Sequence, residues 1–204
     1  MSLYLSIIGV AWVLISIFNI ILGAHAFDNY STWIICAGFI SIVFEIAIDG
    51  LFAGIVHFLP NKWFTGDKKF YKVSRKERKF YESIKIKSWK DKVWELGGLG
   101  GFRKNKIAQP DSSKYFERFI IESNKGIVTH LIGMVVGFLV IFIIPLKYAL
   151  RITLPVALVN LFLNILPTCI LRYNIPKLEV AHERARRLEE RQSKVVEENK
   201  SEIE

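Results

Sequence analysis

Apolar residues in this chain come in long blocks, not at the three-to-four-residue spacing of an amphipathic helix on a soluble core. Leu3 to Ala26 holds no Asp, Glu, Lys or Arg, and Trp33 to Leu59 holds only Glu45 and Asp49. Ile127 to Pro145 is again free of them, and Tyr148 to Leu171 has Arg151 alone. Each block reaches the ~20 residues that a helix needs to cross a hydrocarbon layer. A backbone in lipid must satisfy its own hydrogen bonds, so blocks of this length predict helices. The expected fold is therefore all-α and integral to a membrane, with four transmembrane helices forming two hairpins. A signal peptide has a shorter apolar core behind a basic start, and Met1-Ser-Leu-Tyr has no base, so the first block reads as a retained helix.

The polar remainder divides the chain further. Residues 1–59 form an N-terminal transmembrane hairpin, 60–126 an insert, 127–171 a second hairpin and 172–204 a charged tail. Of the 28 Lys and Arg residues, 17 lie between Pro60 and Arg118, against 7 acids. The connection Phe27 to Thr32 has no base at all. By the positive-inside rule the insert and both termini are cytoplasmic, and the protein is a multi-pass component of the cell membrane. The two cysteines, Cys36 and Cys169, sit in different spans and suggest neither a disulfide nor a metal site. No metal and no bound cofactor is expected.

Composition adds to this picture in two places. The tail, Lys177 to Glu204, pairs opposite charges at helical spacing, which predicts a solvated helix fraying towards its end. The insert interleaves aromatics (Trp63, Phe64, Phe70, Tyr71, Trp89, Trp94) with Lys and Arg. A basic, aromatic surface tethered between two spans should lie against lipid headgroups, each cation adding ~1 kcal/mol near an anionic leaflet. Nucleic acid would favour a similar composition, but no nucleic-acid-binding motif is present and lipid is the nearer partner.

Four short stretches of the second half carry a resemblance. They are LPNKWF (59–64), KFYESIKIKSWKDK (79–92), IIESNKGIVTH (120–130) and RYNIPKL (172–178). Together, in order and spacing, they resemble the glycosyl-4,4'-diaponeurosporenoate acyltransferase family over roughly Pro60 to Leu178. The resemblance implies a membrane enzyme of carotenoid biosynthesis type. Such an enzyme moves a fatty acyl chain from acyl-CoA or acyl carrier protein onto a hydroxyl of a glycolipid or glycosylated isoprenoid.

Acyl transfer to a hydroxyl needs a base, stabilisation of the carbonyl's developing charge, and positioning of two oily substrates. Within the family-like stretches His130 is the candidate base, about one turn inside the third span, with snorkelling to the headgroups as the alternative. Glu122 stands eight residues earlier, about 80° round a continuous helix, where it could share a cleft with the ring. Trp89, Lys90, Asp91 and Lys92 offer an aromatic anchor and charges for substrate. Gly97 to Gly101 followed by Arg103, Lys104 and Lys106 would suit the phosphates of a CoA donor, or form a flexible turn. Arg172, Tyr173 and Asn174 close the fourth span and either line the site or serve as an anchor and a turn. No Gly-x-Ser-x-Gly is present, which argues against a covalent serine mechanism.

Glu45 and Asp49 lie outside the resemblance, one helical turn apart. They could hold a cation or relay protons in a scaffold or small transporter, or simply contact Asn160 or Asn164. Under that rival reading Glu45 and Asp49 would matter and His130 would not.

Overall fold

The structure is a computed structural model that describes residues 2–23, 30–93 and 109–201. Among these the regular secondary structure is helical throughout. The α-helices are α1 (Ser2–Gly23), α2 (Tyr30–Phe58), α3 (Arg75–Ser83), α4 (Ile86–Trp89), α5 (Ser113–Val136) and α6 (Thr153–Ser201), with short 3-10 turns between them. Four stretches are long and apolar enough to cross a membrane: Tyr4–Leu22, Thr32–Phe58, Ser113–Phe142 and Thr153–Asn199. The first two match the expected apolar blocks closely; the third begins earlier, at Ser113 within the expected insert, and the fourth runs on into the charged tail.

The chain groups into two units. The first comprises Met1–Phe58, Lys87–Trp94 and Ile127–Cys169; the second comprises Leu59–Ile86, Glu95–Gly126 and Ile170–Glu204. The first unit is built inside out relative to a soluble domain. Leu14, Phe18, Ile21, Phe39 and Ile46 are exposed, while Asn19, Ser41 and Glu45 are buried. That arrangement suits a surface bathed in acyl chains, where a polar group is costly outside and must be satisfied within. Trp12 lies against Gly38 and donates from Nε1 to the Ile35 carbonyl at 3.2 Å, which closes α1 onto α2. Asn19 Nδ2 donates to the Arg151 carbonyl at 2.8 Å, and Tyr4 Oη donates to the Leu163 carbonyl at 3.1 Å. These bonds tie α1 to the second hairpin.

The second unit has a more conventional core. Phe116, Phe119 and Ile120, at i, i+3, i+4 spacing on α5, pack with Leu178 and Ala185 of α6. Ser74 caps α3 by accepting from the Glu77 amide at 3.1 Å. Lys85, between α3 and α4, takes a left-handed φ of 52° that closes the turn.

One element departs from expectation. Asn174 before Ile175-Pro176 suggested a turn, yet α6 continues through all three residues to Ser201. Proline disfavours helix in the residue before it, and here packing overrides that preference. Tyr173, Ile175 and Leu178 are all buried although they point to different sides of the helix, so this stretch is packed on more than one face. The fourth span and the charged tail are thus one helix. Along it Glu183 pairs with Arg186 and Arg187 at the expected spacing.

Candidate functional site

Three helices of the first unit each turn a polar stripe to a common centre. On α2 the stripe is Ser41, Glu45 and Asp49, four residues apart; on α6 it is Asn160, Asn164 and Thr168, again four apart. Between them α5 presents His130 and Gly133, and Gly137 opens the 3-10 segment that follows it. The glycines are there because nothing larger fits. A Cβ on Gly133 would stand 2.9 Å from both Asn164 Oδ1 and Asp49 Oδ1, and one on Gly137 would stand 2.4 Å from Asn160 Nδ2 and 3.0 Å from Glu45 Oε2. Small residues four apart are how membrane helices bring backbones and polar side chains into contact.

The hydrogen bonds of this cluster converge on Asn164. Its Nδ2 donates to Asp49 Oδ2 at 3.1 Å, to the Asn160 carbonyl at 3.1 Å and to Asn160 Oδ1 at 3.0 Å. Its Oδ1 faces His130 Nδ1 at 2.9 Å. An amide whose nitrogen is ringed by three acceptors cannot be turned round without setting oxygen against oxygen. The group facing His130 is therefore an acceptor, and Nδ1 must carry the hydrogen. In the neutral ring the lone pair then resides on Nε2, the tautomer that can take a proton from a hydroxyl. Glu45 is 5% exposed, and neither of its carboxyl oxygens has a hydrogen-bond partner.

The other residues singled out in the sequence fall as follows. Glu122, read as able to share a cleft with His130, is half-buried in the second unit, and His130 Nδ1 stands 2.9 Å from Asn164 Oδ1. Asp49, which lies on the far side of Asn164, stands nine residues or about 14 Å before the end of α2 at Phe58, a deeper partner than one turn below the headgroups. Trp89 and Lys90 are half-buried at the end of α4, and Lys90 pairs with the exposed Asp91 at 3.1 Å; Lys92 is exposed. Arg103, Lys104 and Lys106, with the glycines before them, lie outside the described residues.

Arg172 is committed within the second unit. It forms a two-pronged ion pair with Glu77, through Nε to Oε1 and through Nη2 to Oε2 at 2.9 Å. It also donates to the carbonyls of Phe70 and Lys72 at 3.1 and 3.2 Å. The bonds from Arg172, joined by one from Tyr81, hold the Glu77 carboxyl below the usual range against the opposing effect of burial. Tyr173 is buried edge-on to Tyr81, with Lys177 Nζ 3.9 Å from its ring centre, and Asn174 is half-buried beside it. A cleft of about 470 Å³ in this unit is lined by Asp67, Glu117, Glu179 and Glu183 with Lys72 and His182. A lining with more carboxylates than cations does not suit the phosphates of CoA.

Sequence reasoning had named Asn160 and Asn164 only as possible contacts of the acids and had passed over Gly133 and Gly137. The available signal was their spacing, amides at i, i+4 opposite glycines at i, i+4.

A bundle of apolar helices closed around a half-buried histidine, amides and carboxylates is the frame of an integral-membrane protein with an internal polar site. Residues 60–184, more than half of the chain, match the glycosyl-4,4'-diaponeurosporenoate acyltransferase family, and the chain belongs to it. Neither a curated protein nor a solved structure matches the chain. The matched segment contains His130, Asn160 and Asn164; Glu45 and Asp49 precede it.

Proposed function

We propose that this membrane acyltransferase moves a fatty acyl chain from a thioester, acyl-CoA or acyl carrier protein, onto a hydroxyl of a glycolipid or glycosylated isoprenoid at the cytoplasmic face. The observation that carries the reading is the 2.9 Å approach of His130 Nδ1 to Asn164 Oδ1, an arrangement that favours a hydrogen on Nδ1 and the lone pair on Nε2, in a chain of an acyltransferase family. In the step envisaged, Nε2 takes the proton from the acceptor hydroxyl as its oxygen bonds the acyl carbonyl carbon. The carbon–sulfur bond then breaks, and the imidazolium returns the proton to the thiolate. The products are an ester and a free thiol, with no net proton change. The aromatic and basic insert would hold the acceptor's headgroup and the donor against the membrane.

Loss of a general base costs ~10²–10⁴-fold in rate. Untargeted lipid mass spectrometry of cells with and without the gene should reveal an acylated lipid that depends on the wild-type protein. His130→Ala should insert normally and lower its formation at least ~100-fold. Retention of a third of the wild-type rate by purified His130→Ala would remove the ring from the mechanism. The scaffold or transporter reading draws on the unpartnered Glu45 carboxyl. It requires ion flux or partner recruitment that depends on Glu45 and is indifferent to His130.

A further inference from the structure

The carboxylate of Asp49 and the ring of His130 are joined through one amide. Asp49 Oδ2 accepts from Asn164 Nδ2 at 3.1 Å, and Asn164 Oδ1 stands 2.9 Å from His130 Nδ1. We infer that Asp49 is a positioning residue for the acyl-transfer base: it orients the Asn164 amide, which in turn fixes the tautomer and direction of the His130 ring. The inference rests on the proposed function and deepens it, because it completes the site with a helix that lies outside the family-matched segment.

Each link has a physical reason. A primary amide can present either its oxygen or its nitrogen to a neighbour, and the two ends differ little in shape. In this cluster the choice is made by what stands at the nitrogen end. Asn160 offers two acceptors there: its backbone carbonyl, which is fixed by the helix, and its Oδ1, on an amide whose own Nδ2 donates to the Gly133 carbonyl at 3.4 Å. A carboxylate is an acceptor at both oxygens and cannot present a donor while ionised, so Asp49 adds the one charged acceptor to those that turn the Asn164 nitrogen away from His130. With the amide set, Nδ1–H points at Asn164 Oδ1 and the lone pair is confined to Nε2.

A second effect follows from charge. When Nε2 takes a proton the ring becomes a cation in a nonpolar setting, and a carboxylate one amide away offsets that charge as it forms. An acid that steadies an imidazolium without itself accepting the proton is the logic of the serine-protease triad, here with an amide interposed. The charged groups of the cluster are Asp49 and Glu45, both from α2; α6 contributes the neutral Asn160, Asn164 and Thr168. Gly133 keeps the arrangement close, since Asp49 Oδ1 and Asn164 Oδ1 both stand 2.9 Å from where its Cβ would be. This joins the two sets of residues that the sequence had assigned to rival functions. Asp49 belongs to the same chain of hydrogen bonds as His130, so dependence on Asp49 is no longer evidence for a transporter.

The test uses the full chain in proteoliposomes with palmitoyl-CoA as donor and octyl β-glucoside as a glycolipid probe, following ester and free thiol together. Asp49→Asn keeps the volume and removes the obligate acceptor; Asp49→Glu keeps the carboxylate and adds a methylene. A positioning role predicts that Asp49→Asn lowers kcat by roughly 10–100-fold with KM within about twofold, and that Asp49→Glu retains more activity than Asp49→Asn. A packing role predicts the reverse order, because the isosteric amide would be tolerated and the longer acid would not. Asn164→Leu is the second variant, guarding against misfolding at position 49, and should lower kcat at least as far as Asp49→Asn. If His130→Ala abolishes transfer while Asp49→Asn or Asn164→Leu stays within twofold of wild type, the inference is overturned and the acyltransferase reading stands. If His130→Ala is as active as wild type, or the wild type forms no ester, the reading fails and takes the inference with it.

Discussion

Arg172 shows how much a single side chain can be asked to hold. Its ion pair with Glu77 is largely withdrawn from solvent, with side-chain exposures of 16% and 24%, and it also serves two backbone carbonyls. Removing one partner of such a pair strands the other, so Arg172→Ala should destabilise the second unit by about 3 kcal/mol. Thermal unfolding in detergent measures this; a loss under 0.5 kcal/mol would assign Arg172 to a substrate after all. Because Glu77 ionises more readily folded than unfolded, its stabilising contribution is complete above the ordinary carboxylate pKa. It declines as pH falls through the lower, folded value. Acid should therefore loosen the wild type more than Glu77→Gln, whose melting curve should be flatter across that window. Arg172 also marks what could be read at this scale. A lone Arg at a span's end is visible, but whether it meets a lipid or a Glu ninety-five positions away is decided by tertiary packing. His130 and Glu122 illustrate the same limit: charge drew them together in the sequence, whereas the partner found is an uncharged amide.

At the scale of the helix, the apolar blocks announced the spans directly because lipid imposes length and composition on each one separately. The facing of each helix was less legible. A helix apolar all round carries no single stripe to show which side turns inward. The informative positions were the few that break the apolar rule: Ser41, Glu45, Asp49, Asn160, Asn164 and Thr168. Glycine spacing from α5 into the 3-10 segment after it completes the register, and it makes a sharp prediction. Gly137→Ala places a methyl where Asn160 Nδ2 and Glu45 Oε2 already stand, so it should disorder the cluster and lower acyl transfer at least ~10-fold. Gly54→Ala on α2 meets nothing within 4 Å and should be neutral or slightly stabilising. Equal effects of the two changes on turnover would contradict the packing described. At Asn174, where a turn was one of two readings, local preference before Pro176 yielded to the burial of its neighbours.

For the whole molecule, the excess of Lys and Arg between Pro60 and Arg118 predicts that the insert faces the cytoplasm and that the 146–148 turn faces outward. In a chain whose Cys36 and Cys169 are replaced by Ser, a cysteine at Lys147 should react with an impermeant maleimide added to intact cells. One at Lys87 should react only after lysis. Labelling of position 87 from outside would invert the topology and place the proposed chemistry on the opposite face. The family match covers the insert, the second hairpin and the start of the tail, yet the polar centre draws on α2 as well. Sequence resemblance therefore located the enzyme class without outlining the whole site.

The bond between Asp49 and Asn164 spans 115 positions of sequence, and this bears on how the protein is made. α2 leaves the ribosome carrying two acids, each costing roughly 2.5–3.5 kcal/mol at mid-bilayer on insertion scales. Its mean hydropathy of 2.1 is enough to favour entry, but the amide that receives Asp49 has not yet been translated. At 5–20 residues per second, Asn164 follows on the order of ten seconds later. During that interval the nascent hairpin must remain at the insertion machinery, or keep its acids neutral, until the last helix arrives. Completion of the polar centre therefore has to wait for synthesis of the last helix.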